Sequence, residues 1–330
     1  MNSKDKIKIE RISENFENNF KITSLYSEYL TRYPEVITKE MVDALTSDGE
    51  TTREEAIVAL LSEIFALDFS RAEDRKMIMN YLRPSVRILD RKKYENNPYY
   101  KNIKLENISE DNWEIRWESY APYRAVICDD MQLLDDFCEI PPLGFFTERF
   151  DFPAILEGGN EWMTLTPVDL DTCEYAIERA RGRVLTFGLG LGYYAYMASE
   201  KDEVESVTVV ELSEKVIDLF KRHILPKMKN QSKINIIHAD ALEYAKEVMP
   251  KEHFDLVFAD TWRDASDGAP MYRMLKPLEA LCPGTEFLYW IENFLISRCR
   301  AENYVGVRDE MNSGKFCFDY EEFIKKIEKI

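Results

Sequence analysis

Metal-ligand and disulfide frameworks are missing from this sequence. Its six cysteines, Cys128, Cys138, Cys173, Cys282, Cys299 and Cys317, form no CxxC pair, and the three histidines, His223, His238 and His253, do not cluster with them. That excludes the ligand spacing of structural zinc and leaves the cysteines as reduced core residues. Basic residues are in deficit: 43 Lys and Arg stand against 61 Asp and Glu, a formal net charge of -18. A surface of that sign repels phosphate backbones, which disfavours nucleic acid as a partner and favours a small molecule, a cationic amine or a protein. No apolar run reaches the roughly 18 residues of a membrane span. The amino-terminal MNSKDKIKIERISENF alternates charges instead of presenting a signal core, so a cytoplasmic location away from membranes is expected. What is present suffices for a folded protein: 45% of residues are hydrophobic and 32% charged. At 330 residues the chain exceeds one ordinary domain, so modules beside a central one are expected.

Periodicity divides the chain into three stretches. Residues 1–105 read as helical, most clearly from Thr51 to Leu67, where a threonine cap and Glu54 and Glu55 precede an apolar stripe of Ile57, Leu60, Leu61, Ile64 and Phe65. A second helix over 72–82 should stop before Pro84. From Asn112 the period becomes two: Trp113, Ile115 and Trp117 alternate with charged residues and fall on one strand face. Further strands are expected over Tyr123–Cys128 and Gly144–Leu156, making 106–165 a small antiparallel β module. A helix over Asp169–Ala180 opens the third stretch, 166–330. Five short apolar strands follow at Val184–Phe187, Val207–Val210, Ile234–Ile237, Leu256–Ala259 and Phe287–Trp290, separated by helical segments. That alternation implies an α/β fold with a doubly wound parallel sheet. Beyond Asn293 an edge strand at Lys315–Phe318 and a final helix at Tyr320–Ile330 are expected.

The chemistry-bearing residues lie at the carboxyl ends of these strands. Gly188-Leu189-Gly190-Leu191-Gly192 follows the first strand: Gly188 permits a sharp turn, Gly190 a close backbone approach, and the next helix offers free N–H groups to a ligand. Tyr193 follows, so the spacing departs from the GxGxxG of dinucleotide folds and demotes NAD and FAD. Glu211 ends the second strand, roughly twenty residues beyond Gly188, where a carboxylate can accept from both hydroxyls of a ribose. Asp240, after the third strand, suits either an adenine amine or a helix N-cap. Asp260 ends the fourth strand, at the edge where ligands of open α/β sheets sit. Trp262, Asp264 and Asp267 share its loop.

These elements in this order, over about 166–290, resemble the class I S-adenosylmethionine-dependent methyltransferases, and the doubly wound sheet is expected to be Rossmann-like. The resemblance implies S-adenosylmethionine as cofactor. It places Gly188, Leu189, Gly190 and Gly192 along the methionine and ribose, Glu211 on the ribose, Leu212 on the adenine face, Asp240 and Ala241 at the adenine, and Asp260 beside them. The layout is also similar to the spermidine synthase branch of that fold, in Tyr120-Ala-Pro-Tyr-Arg124, Leu156-Glu-Gly158, Asp169-Leu-Asp171 and then the glycine loop. By that similarity Trp162 stands near the cofactor's methionine portion, where a sulfonium can meet its ring. The glycine loop lacks the internal acid of that branch, and the fourth-strand motif reads Asp260-Thr-Trp-Arg-Asp264.

Methyl transfer from a sulfonium is an in-line displacement, so the enzyme positions the nucleophile and, for a protonated amine, removes a proton. Asp260 is the first candidate base and Asp264 the second, with Trp262, Asp267, Tyr272 and Glu292 lining the acceptor pocket. The expected function is methyl transfer to a small molecule or protein. Aminopropyl transfer from decarboxylated S-adenosylmethionine is one alternative, and a protein that binds the cofactor without turnover is another. The sequence leaves a homo-oligomer open.

Overall fold

The computed structural model describes residues 3–313 and 319–330; the strand expected at 315–318 and Cys317 lie outside the described residues. Two compact units form, each discontinuous in sequence. One comprises Met1–Leu89, Tyr120–Phe150 and Asn293–Ile330, the other Asp90–Ser119 and Asp151–Glu292. Each of the three stretches expected from periodicity is therefore shared between the two units.

The second unit is built on five parallel strands: β1 (Gly182–Phe187), β2 (Val204–Glu211), β3 (Ile234–His238), β4 (Leu256–Ala259) and β5 (Glu286–Tyr289). Their spatial order is β3-β2-β1-β4-β5. Val184, Leu185, Phe187, Val207, Val209, Val210 and the whole of β4 are buried, as continuous apolar runs between helical layers should be. The strand order reverses between β1 and β4, the point where such sheets open a crevice. Register makes that crevice level: Phe187 lies beside Val210 on β2 and Ala259 on β4. Gly188 N–H then donates to Val210 O (2.9 Å) and Asp260 N–H to Phe187 O (2.8 Å), bringing the residues that follow three strands together.

Three of the intervening helices begin on side-chain caps: Ser213 for Glu214–His223, Asp240 for Ala241–Glu247 and Asp264 for Ala265–Leu275, whereas Tyr193–Ser199 begins on Gly192 without one. The unit also carries an antiparallel sheet in the order Ile108–Glu110, Trp113–Tyr120, Phe150–Glu157, Asn160–Thr164. Trp113 and Ile115 are buried as the alternation requires, but Trp117 is 39% exposed and its indole N–H donates to Leu105 O (3.0 Å). The single strand expected over Gly144–Leu156 is two, Leu143–Phe146 and Phe150–Glu157, in different sheets. The polar Thr147-Glu148-Arg149 breaks the run.

The first unit packs Ser3–Arg32, Lys39–Leu45 and Arg53–Ile64 around Ile22, Tyr26, Tyr29, Ile57, Leu61 and Tyr81. Arg53–Ile64 starts on the expected threonine cap, with Thr52 and Glu55 forming a reciprocal capping box. The helix from Ala72 does not stop before Pro84. It widens into a π-turn at Ile78–Leu82 and continues through Arg83–Ser85. Pro84 follows directly on that wide turn, where Arg83 N–H reaches back five residues to Ile78 O. The helix Glu292–Asn312 has no clear periodic signal, because its buried apolar residues are sparse (Leu295, Cys299, Tyr304, Val307) and Gly306 interrupts it. The Asp130 carboxylate accepts from Asn293 N–H and Phe294 N–H, both at 3.0 Å, at its start. The final helix is Tyr320–Ile327. Among the described residues, no helix is long and apolar enough to cross a membrane.

Candidate functional site

The glycine loop stands at the crevice and is braced from three directions. Glu211, at the end of β2, accepts from Leu189 N–H through Oε2 (3.0 Å) and from Ser213 N–H through Oε1 (2.7 Å). Met163, on Asn160–Thr164, accepts from Leu191 N–H through Sδ at 3.1 Å. Tyr99, on the short helix Pro98–Asn102, donates its hydroxyl to Leu191 O at 2.6 Å. Its ring sits edge-on to Tyr193 (5.7 Å between centroids) and Tyr196 (5.5 Å), whose hydroxyls accept from Asn97 and Asn102. Glu211 therefore holds the loop, and each of its oxygens retains a lone pair for a further donor.

Tyr99 carries no signal in the sequence, since nothing local in Pro98-Tyr-Tyr-Lys-Asn102 announces a partner at Leu191. Replacing it with phenylalanine strips a buried carbonyl of its donor while keeping the ring. A loss of about 1–3 kcal/mol is expected, read as a lower denaturant midpoint at unchanged m-value. An unchanged midpoint would show that the hydroxyl contributes nothing.

A group of acids faces the same crevice. Asp260 is half-buried, and burial pushes its carboxyl well above the ordinary aspartate range, helped by the charges of Asp169 and Glu211. Burial also lifts Asp169 to about 6, although Thr166 N–H and Oγ1 donate to its carboxylate at 2.7 and 2.8 Å and pull the other way. Cys173, one helical turn beyond Asp169, is buried, and its thiol is raised far out of the thiolate range by burial and then by Asp260 and Asp169. Asp169 has a sequence signal, the capping box Thr166-x-x-Asp169. Its proximity to Asp260 is a property of the fold.

At the other end of the crevice Leu212 is 65% exposed and its carbonyl lies 2.9 Å from His238 Nε2. Asp240 accepts from Glu243 N–H through Oδ1 (2.9 Å), so the cap reading of this residue holds, and Ala241 beside it is buried. Ala239 N–H donates to Glu211 O (3.1 Å), which ties this end to β2.

The expected acceptor-side residues are placed differently from one another. Trp262 is buried with its indole N–H on Trp290 O (3.3 Å). Asp264 and Asp267 form a reciprocal capping box: Asp264 accepts from Ser266 N–H (2.6 Å), and Asp267 from the N–H groups of Arg263 (3.2 Å) and Asp264 (3.1 Å). Burial alone would raise Asp264, but the hydrogen bonds from Ser266 and Asp267 hold it below the ordinary range. Its carboxylate is engaged in turn chemistry at the start of this helix. Tyr272 is fully buried and donates to Glu292 Oε1 (2.6 Å), which also pairs with Lys276 (3.0 Å). The Trp162 ring packs on Trp113 at 5.1 Å, while the adjacent Met163 reaches Gly190 and Leu191. The pairing with Phe150–Glu157 shifts register here, Ile155 lying opposite Met163 and Leu156 opposite Glu161, so Trp162 is the extra residue of a bulge.

Residues 179–274 match the model of the spermine/spermidine synthase domain, less than a third of the chain, from before β1 into the helix after β4. No curated protein matches the sequence. Among solved structures, precorrin-8w decarboxylase of Methanobacterium thermoautotrophicum aligns at 14% identity, over 36% of this chain and 60% of that one, with a TM-score of 0.29. A conserved hypothetical protein of Streptococcus pyogenes aligns at 21% identity, over 30% and 60%, at 0.25. The O-methyltransferase of Bacillus cereus in complex with SAH aligns at 17%, over 32% and 49%, at 0.26. The chain thus spans about half to three fifths of the length of these structures. The sheet order, the glycine loop and the matched domain agree with the Rossmann-like, spermidine synthase-like layout that the sequence resembles.

Proposed function

We propose that the second unit binds S-adenosylmethionine and catalyses methyl transfer to an acceptor, a small molecule or a protein, that presents an amine to Asp260. The observation that carries this reading is the carboxyl edge of β1, β2 and β4. There the braced loop 188–192, the Glu211 carboxylate and the half-buried Asp260 adjoin one another. These residues fit the cofactor: Gly190 offers bare backbone, Glu211 keeps lone pairs for ribose hydroxyls, and Leu212 and Asp240 stand where an adenine would lie. Bound there, S-adenosylmethionine supplies an electrophilic methyl group. Asp260 then takes the proton of the acceptor ammonium, and Asp169 beside it raises its affinity for that proton. The net charge of -18 supports a cationic acceptor over nucleic acid. Bulk sequence features support a cytoplasmic enzyme.

A second reading, aminopropyl transfer from decarboxylated S-adenosylmethionine, is favoured by the spermine/spermidine synthase domain match. It also suits the acidic pair, since a cofactor without a carboxylate adds no third negative charge beside Asp169 and Asp260. Thermal-shift titration with both sulfonium compounds separates the two. A ligand at a hundred times its Kd stabilises by about 2.7 kcal/mol, a shift of a few degrees. Preference for S-adenosylmethionine supports methyl transfer and preference for the decarboxylated form supports aminopropyl transfer. Binding with no turnover over a broad set of amines would favour a non-catalytic binder, and no response to either compound would remove the reading.

A further inference from the structure

The N–H donors of the glycine loop are unequally committed. Leu189 N–H goes to a carboxylate and Gly192 N–H to Leu189 O (2.7 Å), both strong acceptors. Leu191 N–H goes to the Met163 thioether, a weak acceptor. The same sulfur lies 1.9 Å from where a Cβ on Gly190 would stand, and Met163 Cε lies 2.8 Å away. Met163 therefore fills the space that the missing side chain opens over the loop. The loop has two further supports besides Met163, since Tyr99 holds Leu191 O and Glu211 holds Leu189 N–H. Met163 is itself half-buried on the outer strand of its sheet, and its unbranched side chain has three rotatable bonds.

We infer that Met163 sets the affinity of the site for its cofactor: its thioether occupies the contact over Gly190 and Leu191 N–H that the methionine arm of a bound S-adenosyl compound takes, and it swings away on binding. This rests on the reading of the loop as an S-adenosyl site. The arm's carboxylate is a stronger acceptor than the thioether it displaces, and Leu191 N–H is the donor released to it. A side chain that merely supported the loop would weaken binding when removed. A competitor strengthens it.

The test is isothermal titration of S-adenosylhomocysteine into the full-length protein, Met163→Ala and Met163→Leu, with denaturant unfolding of each. Removing a competing hydrogen bond predicts binding about three- to tenfold tighter in Met163→Ala. Met163→Leu, which keeps the bulk and deletes the acceptor, should fall between that variant and the parent. Equal or weaker binding in Met163→Ala, with the unmodified protein binding, would overturn the role of Met163 alone. No binding by the parent or by Met163→Ala would instead remove the S-adenosyl reading and this inference with it.

Discussion

Gly188→Ala is expected to lose about 2–5 kcal/mol of folding stability, a large share of what a domain has. Two separate costs combine. The residue has φ +97°, where an L side chain costs roughly 1–2 kcal/mol. Its Cβ would also stand 1.8 Å from the carbonyl oxygen of Asp260, which is backbone and cannot swing aside. Relieving that overlap means pushing apart the chain beyond β1 and the chain beyond β4, an overpacking cost of about 1–3 kcal/mol or more. Gly284 supplies the control, because it has the same φ of +97° and nothing within 4 Å of the point where its Cβ would stand. Gly284→Ala should therefore show the backbone cost alone. Denaturant unfolding of the pair measures the difference, and equal losses would sink the steric half of the account. Whatever fraction of Gly188→Ala folds should also have Asp260 displaced.

The contrast between those two glycines shows what the sequence can and cannot convey. The five parallel strands are legible because each is a short apolar run bounded by turn residues, and burial on both faces demands such runs. Glu211 is legible because its offset from the glycine loop follows from the length of one strand-helix-strand unit. Beside Trp162, to which the resemblance points, the fold brings Met163 against the glycine loop, because a bulge at Trp162 shifts the pairing by one residue and no local signal announces it. Tyr99 escapes notice, and the closeness of Asp169 to Asp260 does too, because Leu191 and Asp260 are distant in sequence from them. Asp264 and Asp267 carry two local meanings, turn and catalysis, and the hydrogen bonds show the turn. Gly144–Leu156 has the composition of one long strand, and only the different pairing of its halves separates them.

Asp260→Asn is expected to abolish most turnover while making the protein more stable at neutral pH. Loss of a general base costs roughly 10²- to 10⁴-fold in rate. The stability gain follows from the sign of the pKa shift. Burial and the charges of Asp169 and Glu211 raise the native pKa of Asp260, so the native state holds its proton to higher pH than the unfolded chain does. Stability then falls as pH rises from the ordinary aspartate value through the raised native value, and the ionised group is a net burden above that window. Asparagine keeps the shape and cannot ionise, so the burden disappears. The same shift places the acid limb of the pH–rate profile above the ordinary carboxylate range, because the base works only when ionised. Asp169→Asn removes one of the two neighbouring charges and should move that limb to lower pH without abolishing turnover. Thermal unfolding at pH 4 and pH 8 tests the first half without any acceptor. A variant less stable than the parent at pH 8 would mean that the Asp260 carboxylate is compensated in the native state, and an acid limb near pH 4 would mean that it is not the base.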